Sequence, residues 1–225
     1  MSDEKTAVTT EVATMAAPLA LMPQETLIPT SDPEIPGLLY WPRFISEPME
    51  KTLLAALQEN PNWVGVSPGE KSRRVIHYGY KYDYSKVSDL TRCDAIPEIF
   101  AAIPTPSILR NPNVPESLRV NADFDQLIIN EYLPGQGIAP HTDHVRQFGH
   151  TIFCVSLGAG IIMTFFSPEG RAIQRWIAAG SAYAMTGSAR YKWKHAIDAK
   201  KSDMVYETRV PRGTRYSLTY RIVVK

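Results

Sequence analysis

Leu127-Ile-Ile-Asn-Glu-Tyr-Leu-Pro-Gly-Gln-Gly-Ile-Ala-Pro-His-Thr-Asp143 joins an extended, apolar-rich run to a turn and then to two metal-type ligands. Leu127 to Tyr132 reads as a strand, and Pro134-Gly135 ends it. His141 and Asp143 follow with a spacing of two, so on an extended backbone both side chains leave the same way. Short strands continue downstream at Thr151–Leu157, Ile161–Phe166, Ala172–Ile177, Ser181–Met185 and Arg215–Val224. Gly158-Ala-Gly160 and Pro168-Glu-Gly170 supply turns between them. Many short strands with such separators predict a mainly β domain with flanking helices, a sandwich or a jelly roll.

Upstream, residues 1–35 carry acids, Thr, Ala and scattered Pro without periodicity, and a disordered acidic tail is expected there. The folded domain is expected over residues 36–225. An extended segment at Gly37-Leu-Leu-Tyr-Trp-Pro42 leads into a helix that Ser46 can cap and Pro48 can enter in its first turn. Met49, Leu53, Leu54 and Leu57 form its apolar stripe, and Asn60-Pro61 stops it. Tyr78, Tyr80, Tyr82 and Tyr84 alternate and would share one face of a continuous strand. A short helix around Ile96–Ile103 and the prolines from Pro97 to Pro115 read as connecting structure.

Of 24 basic and 23 acidic residues, the first 35 hold one lysine and six acids. The remaining 23 basic and 17 acidic residues leave a mildly basic body, +6, compatible with a polyanionic partner without requiring one. Cys93 and Cys154 stand far apart, so neither a disulfide framework nor a zinc knuckle is implied. No apolar run approaches the roughly 20 residues of a membrane helix. The stretch Ala13–Met22 is short and preceded by acids, unlike a signal sequence, and no Arg precedes Arg43 as a mitochondrial presequence would require. A soluble protein of a reducing compartment, cytoplasm or nucleus, is expected. Nothing in the sequence signals an oligomer.

Two imidazoles and a carboxylate, His141, Asp143 and His195, suit an open, redox-active non-haem Fe(II) site. Taken alone, His-x-Asp is more often a hydrogen-bonded surface pair than a metal site, and His195 is equally compatible with a buried histidine. His77, His144 and His150 compete for ligand roles, but His144 would face away from Asp143 on an extended chain. The last strand adds an independent signal. Arg215, Ser217, Thr219 and Arg221 alternate with Tyr216, Leu218, Tyr220 and Ile222, giving one cationic, polar face and one apolar face. Facing inward, the two guanidiniums would need anionic partners, and a dicarboxylate would satisfy them.

Together these segments resemble the AlkB-like Fe(II)- and 2-oxoglutarate-dependent dioxygenases. The resemblance rests on Asn130-Glu-Tyr132, Pro134-Gly-Gln-Gly-Ile-Ala-Pro-His141-Thr-Asp143, Ser156-Leu-Gly158, Gly187-Ser-Ala-Arg-Tyr191 followed by His195, and Arg215 to Arg221, all in family order. It implies a double-stranded β-helix (jelly roll) core. It also implies Fe(II) on His141, Asp143 and His195, with 2-oxoglutarate and O2 as cosubstrates and ascorbate as the reductant in vitro. Arg215 would meet the distal carboxylate, Asn130 and Tyr132 would add hydrogen bonds, and Arg221 would lie nearer the metal. The implied reaction converts 2-oxoglutarate to succinate and CO2 while a substrate C–H bond is hydroxylated. A hydroxylated N-methyl group then leaves as formaldehyde.

The Arg73-Arg74 pair and the tyrosines after it match the family's substrate-covering segment, where basic groups meet phosphate and aromatic rings stack on an extruded base. Arg73, Arg74, His77, Tyr78 and Tyr80 are the candidate substrate contacts. Several motifs are most similar to the branch that includes the tRNA wobble-uridine hydroxylating homologue. That homologue's RNA-recognition module and methyltransferase domain have no room in 225 residues. Val145 and Ser217 stand where the bacterial repair enzyme of the family has an acid and Asn, so repair of methylated bases is not implied as the sole activity. The expectation is a dioxygenase that hydroxylates or demethylates alkylated nucleobases in DNA or RNA, including tRNA. The alternatives are the same chemistry on a protein or small molecule and, last, a non-catalytic binding module.

Overall fold

The computed structural model describes residues 28–67, 69, 72–82, 90–103, 116, 119–120 and 123–224. Within them an eight-stranded sheet runs, with strands numbered in chain order, β1 (Thr30–Ser31), β2 (Leu38–Trp41), β12 (Ala182–Met185), β9 (Phe148–Leu157), β16 (Arg215–Val223), β7 (Gln126–Tyr132), β4 (Arg74–Tyr78), β3 (Val64–Gly65). A second sheet has the order β11 (Ala172–Ile177), β10 (Ile161–Phe166), β13 (Lys194–Ile197), β8 (Ile138–His141). Two small hairpins, β5 (Tyr80–Lys81) with β6 (Thr91–Arg92) and β14 (Ser202–Val205) with β15 (Thr208–Pro211), complete the strands. All the pairings between these strands are antiparallel, and the two facing sheets form the jelly roll.

The period-two pattern of β16 places two different environments on the large sheet. Tyr216, Leu218 and Tyr220 join an outer apolar layer with Phe153, Val155 and Leu157 of β9 and Leu127 and Ile129 of β7. Helix α1 (Glu47–Gln58) covers that layer with Leu53 and Leu57, and α2 (Glu98–Ala101) adds Phe100, whose carbonyl accepts from the Tyr220 hydroxyl at 2.8 Å. Ser46 caps α1 as expected, accepting from the Met49 amide at 3.4 Å, and Pro48 lies in its first turn. On the opposite face, Ile152 and Cys154 of β9 and Tyr183 and Met185 of β12 pack against Ile161, Met163 and Phe165 of β10. The polar face of β16 therefore looks between the sheets, into a gap that the apolar layer fills only in part.

Three expectations need adjusting. Residues 1–27 of the expected tail, Tyr84 and the prolines from Pro104 to Pro115 lie outside the described residues. Residues 28–35, however, pack on the body and do not extend the tail. Thr30 and Ser31 pair with Tyr40 and Leu39, Asp32 and Glu34 form ion pairs with Arg175 of β11, and Ile35 is fully buried. This segment thus links the outer edge of the large sheet to the edge of the small one.

The tyrosine series also fails to keep one face. Gly79 sits at φ +74 between β4 and β5, and a Cβ there would lie 2.0 Å from the Asp125 carbonyl oxygen. The break resets the alternation, so Tyr78 enters the outer layer and Tyr80 the inner one. β8, β13 and the β14–β15 hairpin were not foreseen as strands, because β8 and β13 are only four residues long and carry the site residues rather than an apolar pattern.

Candidate active site

Cross-strand register brings the two histidines together. His141, the last residue of β8, pairs with His195 of β13, and their ring centroids are 4.2 Å apart. Asp143 follows two residues on and adds its carboxylate, so that one ligand atom from each of the three residues lies within 4.8 Å of the others. Thr142, pointing the other way, donates to the Trp193 carbonyl at 3.0 Å and ties the His-x-Asp segment to the start of β13. Among the described residues no other cluster of His, Cys, Asp and Glu has this geometry. His144 instead accepts from the Gln147 amide at 3.2 Å and closes a turn, His150 is exposed, and His77 lies on β4.

Protonation suits these groups to a cation. The His141 Nδ1 lies 2.9 Å from the Ala139 carbonyl oxygen, which can only accept, so Nδ1 is the donor there and Nε2 is the ring nitrogen left to face a metal. Burial, aided by the neighbouring His141, pushes the His195 imidazole down to about 3, so it is neutral near pH 7. Burial alone would raise the Asp143 carboxyl, but the Arg221 guanidinium and the two imidazoles outweigh it and hold Asp143 well below the usual carboxylate range. Arg221 Nη2 meets Asp143 Oδ1 at 3.0 Å across the gap between the sheets.

From this cluster a cavity of about 410 Å³ extends along β16. Ser217 and Thr219 form its floor between Arg221 and Arg215, with Asn130 and Tyr132 of β7 alongside. At the far end Arg215, 1% exposed, donates from Nε to Ser156 Oγ at 2.9 Å and lies over the Tyr132 ring. Its Nη1 and Nη2 meet no hydrogen-bonding partner among the described residues, nor do Asp143 Oδ2 and His195 Nδ1. Buried polar atoms rarely stay unmatched, and a buried guanidinium costs several kcal/mol unless paired. The second oxygen of the Asp143 carboxylate at one end and the two head-group nitrogens of Arg215 at the other fit a cation beside an anion, as a metal ion with a bound dicarboxylate would supply.

The candidate ligands His141, Asp143 and His195, together with Asn130, Tyr132, Arg215 and Arg221, therefore line one cavity. The candidate substrate contacts scatter. Arg73 lines the cavity and donates to Asn130 Oδ1 at 3.0 Å. Arg74, the next residue, points to the other face, where it grips Glu131 at 2.6 and 2.8 Å over the Trp63 ring. Tyr78 is buried under α1 and α2, its hydroxyl accepting from Asn60 at 2.8 Å. Tyr80 packs in the inner layer with Arg92 over its ring, and His77 accepts from the Tyr82 amide at 3.5 Å. Tyr82, not among the candidates, lines the cavity next to Phe148. Its alternation with Tyr80 was visible, but the break at Gly79 that turns it inward was not.

A second residue passed over is Arg190 of α3 (Gly187–Tyr191), 1% exposed, which donates to four carbonyl oxygens around the turn after Asp143. An arginine in a five-residue helix gives no sequence signal of such burial.

Residues 37–221 match the 2OG-Fe(II) oxygenase superfamily. A protein of Acanthamoeba polyphaga mimivirus, L905, is 33% identical over 81% of this chain and 82% of its own length. The Xenopus tropicalis protein alkbh8, a tRNA (carboxymethyluridine(34)-5-O)-methyltransferase by name, is 32% identical over 84% of this chain, which spans only 32% of that protein. The solved structure of OsALKBH1 superposes with a TM-score of 0.62 over 83% of this chain and 98% of its own, a likeness of fold at 16% identity. With a jelly roll that brings two histidines and an aspartate to the mouth of an arginine-ended cavity, the chain belongs to the 2OG-Fe(II) oxygenase superfamily, as an AlkB-like dioxygenase dependent on Fe(II), 2-oxoglutarate and O2.

Proposed function

We propose that this dioxygenase hydroxylates, and where the position allows demethylates, alkylated nucleobases in nucleic acid, with tRNA among its substrates. The observation that carries the reaction is the cluster of half-buried His141 with buried Asp143 and His195, opening onto a cavity that ends in the unmatched Nη1 and Nη2 of Arg215. In this reading the three residues hold Fe(II). Arg215 binds the distal carboxylate of 2-oxoglutarate through a two-pronged hydrogen bond, and Asn130 and Tyr132 add contacts. Arg215 and Arg221 are six residues apart on one strand, roughly 20 Å between backbones, so they serve opposite ends of the cosubstrate. Arg221 fixes one oxygen of Asp143 and leaves the other for the metal. Bound there, the iron with 2-oxoglutarate and O2 supplies the oxidising power for C–H hydroxylation. The protein keeps His195 neutral and Asp143 ionised, and its apolar layer at Met163, Ile138 and Ile197 keeps bulk water from the metal side of the cavity.

Support for a nucleobase substrate is the AlkB-like family itself, the tRNA named for the Xenopus relative, and the presence of both Arg73 and Tyr82 in the cavity wall. A guanidinium and an aromatic ring in one wall suit a phosphate and an extruded base. Supplied with Fe(II), ascorbate and 2-oxoglutarate, the wild-type protein forms succinate, and His141→Ala and Asp143→Ala abolish it. Equal succinate from all three would remove the oxygenase assignment. Methylated DNA, methylated RNA and whole tRNA, digested and weighed as nucleosides, test the substrate. Gain of one oxygen or loss of a methyl group is expected in at least one of them. Consumption of 2-oxoglutarate with no nucleoside changed would move a protein or small-molecule substrate ahead.

A further inference from the structure

Asp143 is the one metal-type ligand that no strand carries, since β8 ends at His141 and β9 begins at Phe148. Its backbone position depends on the turn between them. Arg190 reaches into that turn from α3 and saturates it. Nη1 donates to the Asp143 carbonyl at 2.8 Å, Nη2 to the His144 and Phe148 carbonyls at 3.1 and 2.9 Å, and Nε to the Gly149 carbonyl at 3.0 Å. Three guanidinium nitrogens thereby hold both ends of the segment from Asp143 to Gly149. The helix that carries Arg190 is itself anchored, because the Ala189 amide donates to the Pro36 carbonyl and both the amide and hydroxyl of Thr186 donate to the Gly37 carbonyl. A planar fork is needed here. Lysine could supply the charge but could not span acceptors on both sides of the turn.

We propose that Arg190 is a positioning residue for the metal centre, fixing the Asp143 backbone so that its carboxylate stays within reach of His141 and His195. This rests on the reading of those three residues as metal ligands. Removing the fork leaves the turn free to relax, and the carboxylate then pays an ordering cost each time a metal binds. Groups that orient metal ligands are typically worth about 10- to 100-fold in affinity, so a loss of at least about tenfold is expected.

Mn(II) titrated into metal-free protein, read by the loss of free-ion electron paramagnetic resonance signal, measures this without turnover. Arg190→Met and Arg190→Lys are expected to weaken Mn(II) binding at least about tenfold, and millimolar guanidinium to restore part of it in Arg190→Gly but not in Arg190→Lys. Arg212→Met serves as the comparison. It breaks an equally buried pair with Asp203 of β14, Nε to Oδ2 at 2.7 Å, just past the end of β15, and should lower the melting temperature while leaving Mn(II) affinity within about twofold. If Arg190→Met does not fold, Arg190→Lys carries the comparison. Folded Arg190 variants that bind Mn(II) as wild type does would overturn the proposal alone. Wild-type protein that binds no Mn(II), like His141→Ala, would overturn the metal reading and this inference with it.

Discussion

At the scale of single residues, the two arginines of β16 differ in what their head groups meet. Arg221 reaches the Asp143 carboxylate with Nη2 at 3.0 Å, whereas Arg215 reaches only the neutral Ser156 hydroxyl, and its Nη1 and Nη2 meet no partner among the described residues. An unmatched buried guanidinium destabilises the empty protein, so its burial at the end of a cavity points to a ligand that neutralises it. Replacing it with an apolar side chain of similar length should separate stability from binding. Arg215→Met is expected to keep or raise the melting temperature of the cosubstrate-free protein. The same change should raise the dissociation constant for 2-oxoglutarate by about 10- to 100-fold, the loss of one charge-assisted hydrogen bond at about 1.5–3 kcal/mol. Isothermal titration with 2-oxoglutarate in the presence of Mn(II) checks it, and unchanged affinity would remove Arg215 from the cosubstrate site.

At the scale of elements, the sequence disclosed those whose pattern is continuous. The strand of Arg215 to Arg221 showed its two faces directly, and α1 showed both its cap and its stripe. What stayed hidden depends on backbone geometry between elements. Gly79 turned Tyr78 to the helices and Tyr82 to the cavity, and Arg190 acquired its importance from a turn forty residues upstream in the chain. Glycine contacts make the same point for the metal centre. Gly137, just before β8, passes so close to β13 that a Cβ would lie 2.2 Å from the Ile197 carbonyl oxygen and 2.9 Å from the Ala199 amide. Both obstacles are backbone, so the strands would have to part, taking His141 from His195. Gly137→Ala should therefore cost about 1–3 kcal/mol and weaken Mn(II) binding as well. Gly170→Ala is the contrast: its φ is +87, but a Cβ there would meet nothing within 4 Å. It should cost about 1–2 kcal/mol of backbone strain and leave the metal site intact. Denaturant unfolding with and without Mn(II) distinguishes the two, and equal effects of both substitutions on Mn(II) binding would show that β8 and β13 tolerate separation.

At the scale of the whole molecule, the jelly roll buries ionisable groups between its sheets, and that burial sets how stability responds to acid. His77 faces inward from β4, and burial, reinforced by Lys81 and Arg221, pushes its imidazole down to about 4. Unfolded, the same group titrates near 6.5. Between these values the unfolded chain binds a proton that the folded one refuses, so stability rises with pH across this window and is lost as pH falls from about 6.5 towards 4. One proton over that interval corresponds to roughly 3 kcal/mol. His195, pushed down to about 3 by burial, adds a loss of the same sign over this window and below it, and Asp143, held below its usual range by Arg221 and the imidazoles, adds another only at pH values below its unfolded value. His77→Gln removes the first contribution and keeps the other two. The metal-free variant should therefore show a shallower fall in melting temperature between pH 6.5 and 4 than wild type, with the two curves converging in slope below that window. Parallel curves throughout would mean that His77 reaches solvent in the folded protein, and that this edge of the large sheet is more open than its packing against β7 indicates.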